Sequence, residues 1–376
     1  MTTPTLDAET LKGLFGKSLM LTTDWSTDEL ETLLNVAARF AARDRAGESN
    51  ALIPNELGYA VFFDNSTRTK SAWAGAVTRL GMNPVIVDGS STQVAHGETA
   101  VETGAMLGMN AHAMGIRHDL ILGEGNTFMR DVEKGISDYL AATDNARKVP
   151  LVNLQCDIDH PTQTLADMSW LREHFEDASP DAIRGKKIGV SWAYSPSYAK
   201  PLSVPQGLIT LLTRFGANVT LAHPKGYELM PSCVEAAERQ AKESGGSFTQ
   251  TNEMDQAFEG AHVVYPKSWG PYDLMLERVD ANRAADKARM GDIEQRALTR
   301  NADFTDWICD ERRMALTDAG DALYMHCLPA DIGAEVTEGV MEKHRVNLAR
   351  EANWKVYVIM ALLAVAKVEN LEAKLG

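Results

Sequence analysis

Phe62-Phe63-Asp64-Asn65-Ser66-Thr67-Arg68-Thr69-Lys70 brings three hydroxyls and two cations into one short stretch. Upstream, Tyr59, Val61, Phe62 and Phe63 have strand composition; downstream, Trp73, Val77 and Leu80 recur at helical intervals. Asp64, Asn65, Ser66 and Thr67 between them are all good N-cap residues. A helix start carries unpaired N–H groups and partial positive charge, so it stabilises acids. Arg68 and Lys70 there are unfavourable by about 0.3–1 kcal/mol each. An outside anion removes the conflict, because hydroxyls, N–H groups and a guanidinium fork then converge on one phosphate-sized ligand. Taken alone, the turn fits an ordinary solvated cap with two surface cations equally well.

Three further motifs lie near inferred strand ends, where open parallel sheets bind ligands. Arg117 in MGIRHD is either a solvated strand-end arginine or a second fixed cation for the same anion. In His160-Pro161-Thr162-Gln163, Pro161 suits a first helical turn, which brings His160 and Gln163 close together. A histidine can donate to a carbonyl oxygen, and a glutamine amide can both accept and donate. A capping turn with a satisfied histidine is the plainer reading. In His326-Cys327-Leu328-Pro329 the proline stops a strand and leaves its last carbonyls free as acceptors. Cys327 invites a nucleophile reading, but nothing nearby in sequence marks it as activated, and a core thiol explains it. Together the motifs offer anion ligands, carbonyl donors and NH₂ acceptors. A small molecule with both a phosphate and an amide uses them all, and carbamoyl phosphate is one.

Positioning these groups requires strands and helices in alternation. The 376 residues exceed the size at which one core stops growing, so two domains are expected. Residues 27–46 read as a helix with Ser26 or Thr27 as cap. NPVIVDG, AHAMGIR and VPLVNLQCD read as strands, and SSTQVAHGETAVETGAML as a polar loop entering a helix. DHPTQTLADMSWLREHF reads as a turn into a helix. A second series follows from Gly185: strands in KKIGVSWAYS, NVTLAHP, GAHVVYPKSW and ALYMHCLP, with a helix in VPQGLITLLTRFG. RVDANRAADKARMGDIEQRAL is expected to be one solvated, inserted helix, and WKVYVIMALLAVAKVENLEAKL a helix packed on a core. This alternation is the pattern of an α/β protein with doubly wound parallel sheets.

A net charge of −15 argues against nucleic acid and anionic membrane surfaces as partners, and makes any anion site a local positive focus. The four cysteines (Cys156, Cys233, Cys309, Cys327) lack CxxC or metal-like spacing, which predicts no metal and a reducing compartment. The first twenty residues lack signal-peptide character, and VYVIMALLAVA is too short to span a bilayer. A cytoplasmic protein is expected.

STRT, the arginine of MGIR, HPTQ and HCLP occur in the order seen in the aspartate/ornithine transcarbamylases, and the resemblance runs over nearly the whole chain. HCLP resembles the ornithine branch rather than the aspartate branch, which favours HPLP. DNSTRT, LVNLQCDIDHPTQ, WAYSPSYAKPLSVPQG and YMHCLPAD resemble the YgeW-type branch of uncertain substrate, itself similar to the knotted acetylornithine and succinylornithine enzymes. The resemblance implies two doubly wound parallel-sheet domains joined by inter-domain helices. These would be a carbamoyl-phosphate domain (1–155), a domain for the amine or ureido substrate (156–344), and a C-terminal helix returning to the first (345–376). It also implies a trefoil knot in the second domain and a homotrimer in which SSTQVAHGET reaches a neighbour's site, with no cofactor and no metal.

Carried over by resemblance, Ser66, Thr67, Arg68 and Thr69 bind phosphate; Arg117 bridges phosphate and carbonyl oxygen; and His160 and Thr69 also donate to that oxygen. Gln163 and the carbonyls of Cys327 and Leu328 hold the carbamoyl NH₂. Ser268-Trp269-Gly270 resembles the amine-substrate loop SMG. The ornithine enzymes carry an Asp shortly before SMG; YPKSWG has Lys267 and no such Asp, and the arginine of the late AENR segment corresponds to Lys355. These departures favour a carboxylate-bearing substrate with a substituted α-amine over free ornithine. The rival readings are ornithine transcarbamylase itself and, from another class, a non-catalytic sensor of a phosphorylated metabolite. A sensor has no need of His160, Gln163 or HCLP. Sequence names neither the second substrate nor the direction of the reaction. Arg68→Ala is expected to abolish carbamoyl-phosphate binding measured by calorimetry; unchanged binding would sink the anion reading of the opening turn.

Overall fold

The computed structural model describes residues 5–376, which form two compact units. The first comprises residues up to 119 with 123–179 and 353–376, and the second 120–122 with 180–352. In the first unit the elements are α1 (Ala8–Leu14), α2 (Thr27–Arg45), β1 (Leu57–Phe62), α3 (Thr67–Arg79), β2 (Asn83–Asp88), α4 (Ala100–Gly108), β3 (Ala113–His118), α5 (Gly125–Ala142), β4 (Leu151–Cys156) and α6 (Pro161–His174). The second contains β5 (Lys187–Trp192), α7 (Ser203–Arg214), β6 (Asn218–Ala222), α8 (Pro231–Ser244), β7 (Ser247–Thr251), α9 (Met254–Phe258), β8 (Val263–Lys267), α10 (Tyr272–Arg283), α11 (Lys287–Asn301), α12 (Glu311–Met314) and β9 (Leu323–Tyr324). A long helix, α13 (Glu338–Lys367), belongs to the second unit up to Ala352 and to the first from Asn353, and α14 (Leu371–Leu375) follows it.

Both sheets are parallel. Their orders are β2-β1-β3-β4 and β7-β6-β5-β8-β9. In each, the strand order reverses beside the first strand, between β1 and β3 in one unit and between β5 and β8 in the other. Such switch points open a crevice at the strand C-termini. β4 is buried along its whole length, whereas β2, at an edge and carrying Pro84, is largely exposed. Val61, Met114, Ile116, Leu151 and Cys156 from the strands pack with Met129, Val132 and Ile136 of α5. α4 and α5 approach through paired glycines: a Cβ on Gly104 would lie 2.1 Å from Val132 O, and one on Gly135 2.0 Å from Val101 O.

Ser26 caps α2 in a capping box with Glu29, and Ser66 caps α3 by accepting Thr69 N–H at 3.2 Å. The sequence puts the first boundary at 155. By packing, α6 stays with the first unit, where Arg172 pairs with Glu31 of α2. The single inserted helix expected around 278–298 is two helices. Ala285 takes φ +51, and Asp286 caps a new start by accepting Arg289 N–H at 3.0 Å. This pair is also less solvated than expected, since Ile293 and Ala297 are buried and Arg278 pairs with Glu294. The C-terminal helix begins at Glu338 rather than Trp354, because no Gly or Pro interrupts the residues between 340 and 354, and it ends before Asn370 in the left-handed region.

Between β4 and α6 the chain turns through Asp157 to His160. There the buried Asp159 accepts Thr22 N–H at 2.8 Å and Thr22 Oγ1–H at 2.7 Å. Burial pushes its pKa up from 3.8 to about 6, against the lowering effect of those bonds. A carboxyl with a raised folded pKa contributes stability below its unfolded pKa and loses it as pH rises through the folded value. Asp159 therefore lowers stability as pH rises from 3.8 to about 6. Asp159→Asn is expected to flatten that part of the urea-midpoint profile, and an unchanged slope would count against this assignment.

Candidate active site

In the first unit, three adjacent strands deliver the predicted ligands to one end of the sheet. β1 feeds the turn before α3, β3 ends in Arg117, and β4 leads to His160. Ser66 is the N-cap of α3, Thr67 is exposed, Arg68 is half-buried and Thr69 is buried. Lys70 Nζ stands 5.3 Å from the Phe62 ring centre, a cation–π arrangement. Phe62 pairs with Arg117 across β1 and β3, and Phe63 N–H donates to Arg117 O at 2.9 Å. The β3–β4 register shifts after Ile116, which pairs with Asn153 while Arg117 pairs with Gln155, so the extra residue is Leu154 of β4 and Arg117 keeps its pairing with Phe62. Arg117 Nη2 lies 2.7 Å from Asp119 Oδ2, whose carboxylate is buried. Asp119 N–H in turn donates to Asp64 Oδ2 at 2.8 Å, tying the two strand-end turns together.

His160 is the N-cap residue of α6, Pro161 opens its first turn, and both are buried. His160 Nδ1 is 3.4 Å from Thr162 Oγ1. Gln163 is buried and donates its Nε2–H to Asp167 Oδ1 at 2.7 Å. That bond fixes the amide so that Oε1 is the end left to accept. Lys355, on the part of α13 assigned to this unit, is buried.

In the second unit the HCLP turn follows β9. His326 is fully buried, and Cys327 and Leu328 are half-buried. Leu328 has φ +54 and precedes a cis peptide to Pro329. The Cys327 thiol is one of four free cysteines. Lys267 ends β8 and pairs in register with Trp192 of β5, at the switch point. Lys267 is buried, which lowers its pKa, and its Nζ donates to Ser268 O at 2.8 Å. Ser268 is fully buried. Trp269 is also fully buried: its Nε1–H donates to Tyr227 O at 2.8 Å, and its carbonyl accepts Trp192 Nε1–H at 2.9 Å.

Five groups beside these residues escaped the sequence reading. Asp167 lies four residues after Gln163 on one helical face, a spacing that could have pointed to it. Asp119 had no such signal. Lys200 and Glu335 form a buried ion pair at 2.7 Å across 135 residues, and Asp331 also contacts Lys200 at 2.9 Å. Burial alone would lower the Lys200 pKa, but the two carboxylates raise it; the Glu335 pKa is held well below normal despite burial. Burial lowers the His326 pKa, and His326 first, then Lys200, hold the Glu335 pKa down. Among the described residues, no cluster of three or more His, Cys, Asp or Glu side chains could hold a metal ion, and no helix is long and apolar enough to cross a membrane.

Residues 17–173 match the family model described as aspartate/ornithine carbamoyltransferase, carbamoyl-P binding domain, and residues 202–366 match its Asp/Orn binding domain. The chain is 49% identical over 360 residues to "Putative carbamoyltransferase YgeW" of Escherichia coli, covering 94% of this chain and 90% of that one. It is 31% identical over 364 residues to N-acetylornithine carbamoyltransferase of Xanthomonas campestris pv. campestris, covering 93% and 97%. A crystal structure of an N-acetyl-L-ornithine transcarbamylase mutant complexed with carbamyl phosphate and N-succinyl-L-norvaline superposes with a TM-score of 0.74. It is 28% identical, and the match covers 93% of this chain and 99% of that one.

Removing the Asp167 carboxylate should free the Gln163 amide to turn over and present a donor instead of an acceptor. With about 1–3 kcal/mol at stake for an unsatisfied buried polar group, Asp167→Ala is expected to lower kcat for carbamoyl transfer roughly tenfold. Carbamoyl-phosphate affinity should barely change, and an unaltered kcat would contradict the role given to this bond.

Proposed function

Because this chain belongs to the aspartate/ornithine carbamoyltransferase family, we propose that it moves a carbamoyl group between carbamoyl phosphate and the amine of a small carboxylate-bearing amino acid whose α-amine is substituted. The observation that carries this reading is that Arg117, the register partner of Phe62 at the end of β3, stands beside the strand that leads into the Ser66-capped start of α3, two cationic positions at adjacent strand ends. The substituted α-amine is supported by Lys267 standing where the ornithine enzymes have an acidic residue nearby, and by relatives named for N-acetylornithine.

In this reading Ser66, Thr67, Arg68 and Thr69 take the phosphate, and Arg117 bridges it to the carbonyl oxygen. His160 and Thr69 also donate to that oxygen, with His160 Nδ1 3.4 Å from Thr162 Oγ1. Gln163 Oε1 and the carbonyls of Cys327 and Leu328 accept from the NH₂. Lys267, Ser268, Trp269 and Lys355 serve the second substrate. Trp269 does so through its backbone and its packing, since its indole N–H is already bonded.

An uncharged amine attacks the carbonyl carbon, and negative charge gathers on the oxygen faced by Arg117, Thr69 and His160. One preorganised donor of this kind is typically worth about 10²–10³-fold in rate. The C–O bond to phosphate breaks, and the leaving phosphate accepts the amine's proton. Forward activity rises with pH because the amine must first be neutral. In reverse, phosphate attacks a ureido carbon, the amine leaves, and carbamoyl phosphate forms; catabolic phosphorolysis of a ureido acid is thus the same chemistry. Family membership also supports a cytoplasmic homotrimer and a threaded loop at 192–207, with solution mass as the check on the trimer.

A screen of ureido acids for phosphate-dependent release of carbamoyl phosphate, beside a radiolabelled carbamoyl-transfer panel of amines, tests the assignment. Turnover of N-substituted substrates with little on free ornithine is expected. Strong saturable turnover of ornithine would favour ornithine transcarbamylase. Carbamoyl-phosphate binding with no turnover of any amine or ureido acid would favour the sensor.

A further inference from the structure

Glu335 is fully buried, and its two oxygens gather four groups from three stretches of the second unit. Oε1 accepts Ser268 N–H at 2.7 Å and faces His326 Nε2 at 3.5 Å. Oε2 accepts Lys200 Nζ–H at 2.7 Å and Asp331 N–H at 2.8 Å. Asp331 closes the group, with Oδ2 accepting Lys200 Nζ–H at 2.9 Å and Ser197 Oγ–H at 2.9 Å.

His326 carries this order to the turn that follows it. Its Nδ1 accepts Leu328 N–H at 2.8 Å, so in the neutral ring Nε2 bears the proton and presents it to Glu335. At 3.5 Å that approach is the attraction of an N–H dipole for a buried carboxylate rather than a strong hydrogen bond. The ring lies nearly parallel to Tyr265 and Tyr324, at 19° and 14°, with centroids 6.3 and 6.4 Å away. Leu328 meanwhile sits at φ +54, a conformation that a side chain of its kind keeps only when its surroundings hold it there.

We propose that Glu335 is a positioning residue: through His326 it holds the Cys327-Leu328 turn, and through Ser268 N–H it holds the loop beside Lys267. One carboxylate thereby keeps the carbamoyl-NH₂ acceptors and the amine-side loop in register. The inference rests on the roles given above to those carbonyls and that loop. Charge is required as well as shape, because a glutamine would leave Lys200 buried with only Asp331 to neutralise it.

The test uses the full chain with Glu335→Gln and the double variant Glu335→Gln/Lys200→Met, which removes the stranded cation and so protects folding. With carbamoyl phosphate and N-acetyl-L-ornithine as the probe amine, kcat is expected to fall roughly 10–100-fold in both, the loss typical of a misplacement near 1 Å. KM for the amine should rise, and the carbamoyl-phosphate Kd should stay within about threefold, since the phosphate ligands are in the first unit. A double variant that regains wild-type melting temperature and wild-type kcat together would show a purely structural role and overturn the proposal. Crystal structures of the double variant give a readout independent of turnover. Loss of the Leu328 N–His326 Nδ1 bond with a changed Leu328 φ supports the proposal, and an unaltered turn overturns it. A wild-type protein inactive on every amine and ureido acid would count against the assigned reaction alone, leaving the crystal comparison to decide this point.

Discussion

The first turn of α3 holds Arg68 and Lys70 where the free N–H groups of a helix attract negative charge. The nearby carboxylates are committed elsewhere: Asp64 accepts a backbone N–H from the β3 turn, and Asp119 pairs with Arg117. Arg68, Lys70 and Arg117 thus stand at the ends of the adjacent strands β1 and β3. In a chain of net charge −15, such a focus exists only because strand ends and a helix start are brought together. Parallel pairing does this: Phe62 and Arg117 are register partners at the C-terminal ends of β1 and β3, which run in the same direction.

The second unit solves a harder problem with the same topology. Its switch point joins the end of β5 to the end of β8, Trp192 opposite Lys267. Here the polar groups are enclosed rather than set at a helix start. Lys200, Lys267, His326, Glu335 and much of Asp331 are removed from water, so each needs a partner to offset its desolvation. Aromatic packing supplies the walls: Trp192 meets Tyr227 at a tilt and Phe304 and Trp307 edge to face, and is bonded to the backbone of Trp269. The KSWG loop is consequently anchored by its own tryptophan, a less mobile arrangement than an exposed binding loop.

Much of this was legible where the deciding interactions are local. The helix start at Ser66, the strand ending near Arg117 and the His160-Pro161 turn each follow from a few consecutive residues. Asp167 could have been found by its spacing from Gln163. Glu335 could not, because its partners Ser268 and Lys200 are 67 and 135 residues away and nothing in the local sequence marks it. The break between α10 and α11 was hidden for a different reason. It contains no glycine or proline, and the signal was the capping capacity of Asp286, which sits within a run of good helix formers. The C-terminal helix was underestimated because its first half is charged and its second apolar, so composition suggested two segments where the backbone makes one.

The division of α13 at residue 353 bears on how the protein is made. The first unit takes its last stretch, 353–376, from the far end of the chain, and from Tyr357 to Ala366 nearly every one of those side chains is enclosed. A ribosome that has finished residue 179 has therefore not yet released everything this unit needs to close its core. The second unit, from 180 to 352, is complete sooner although it is translated later. In vectorial synthesis the first unit therefore completes its core only after residues 353–376 have been made.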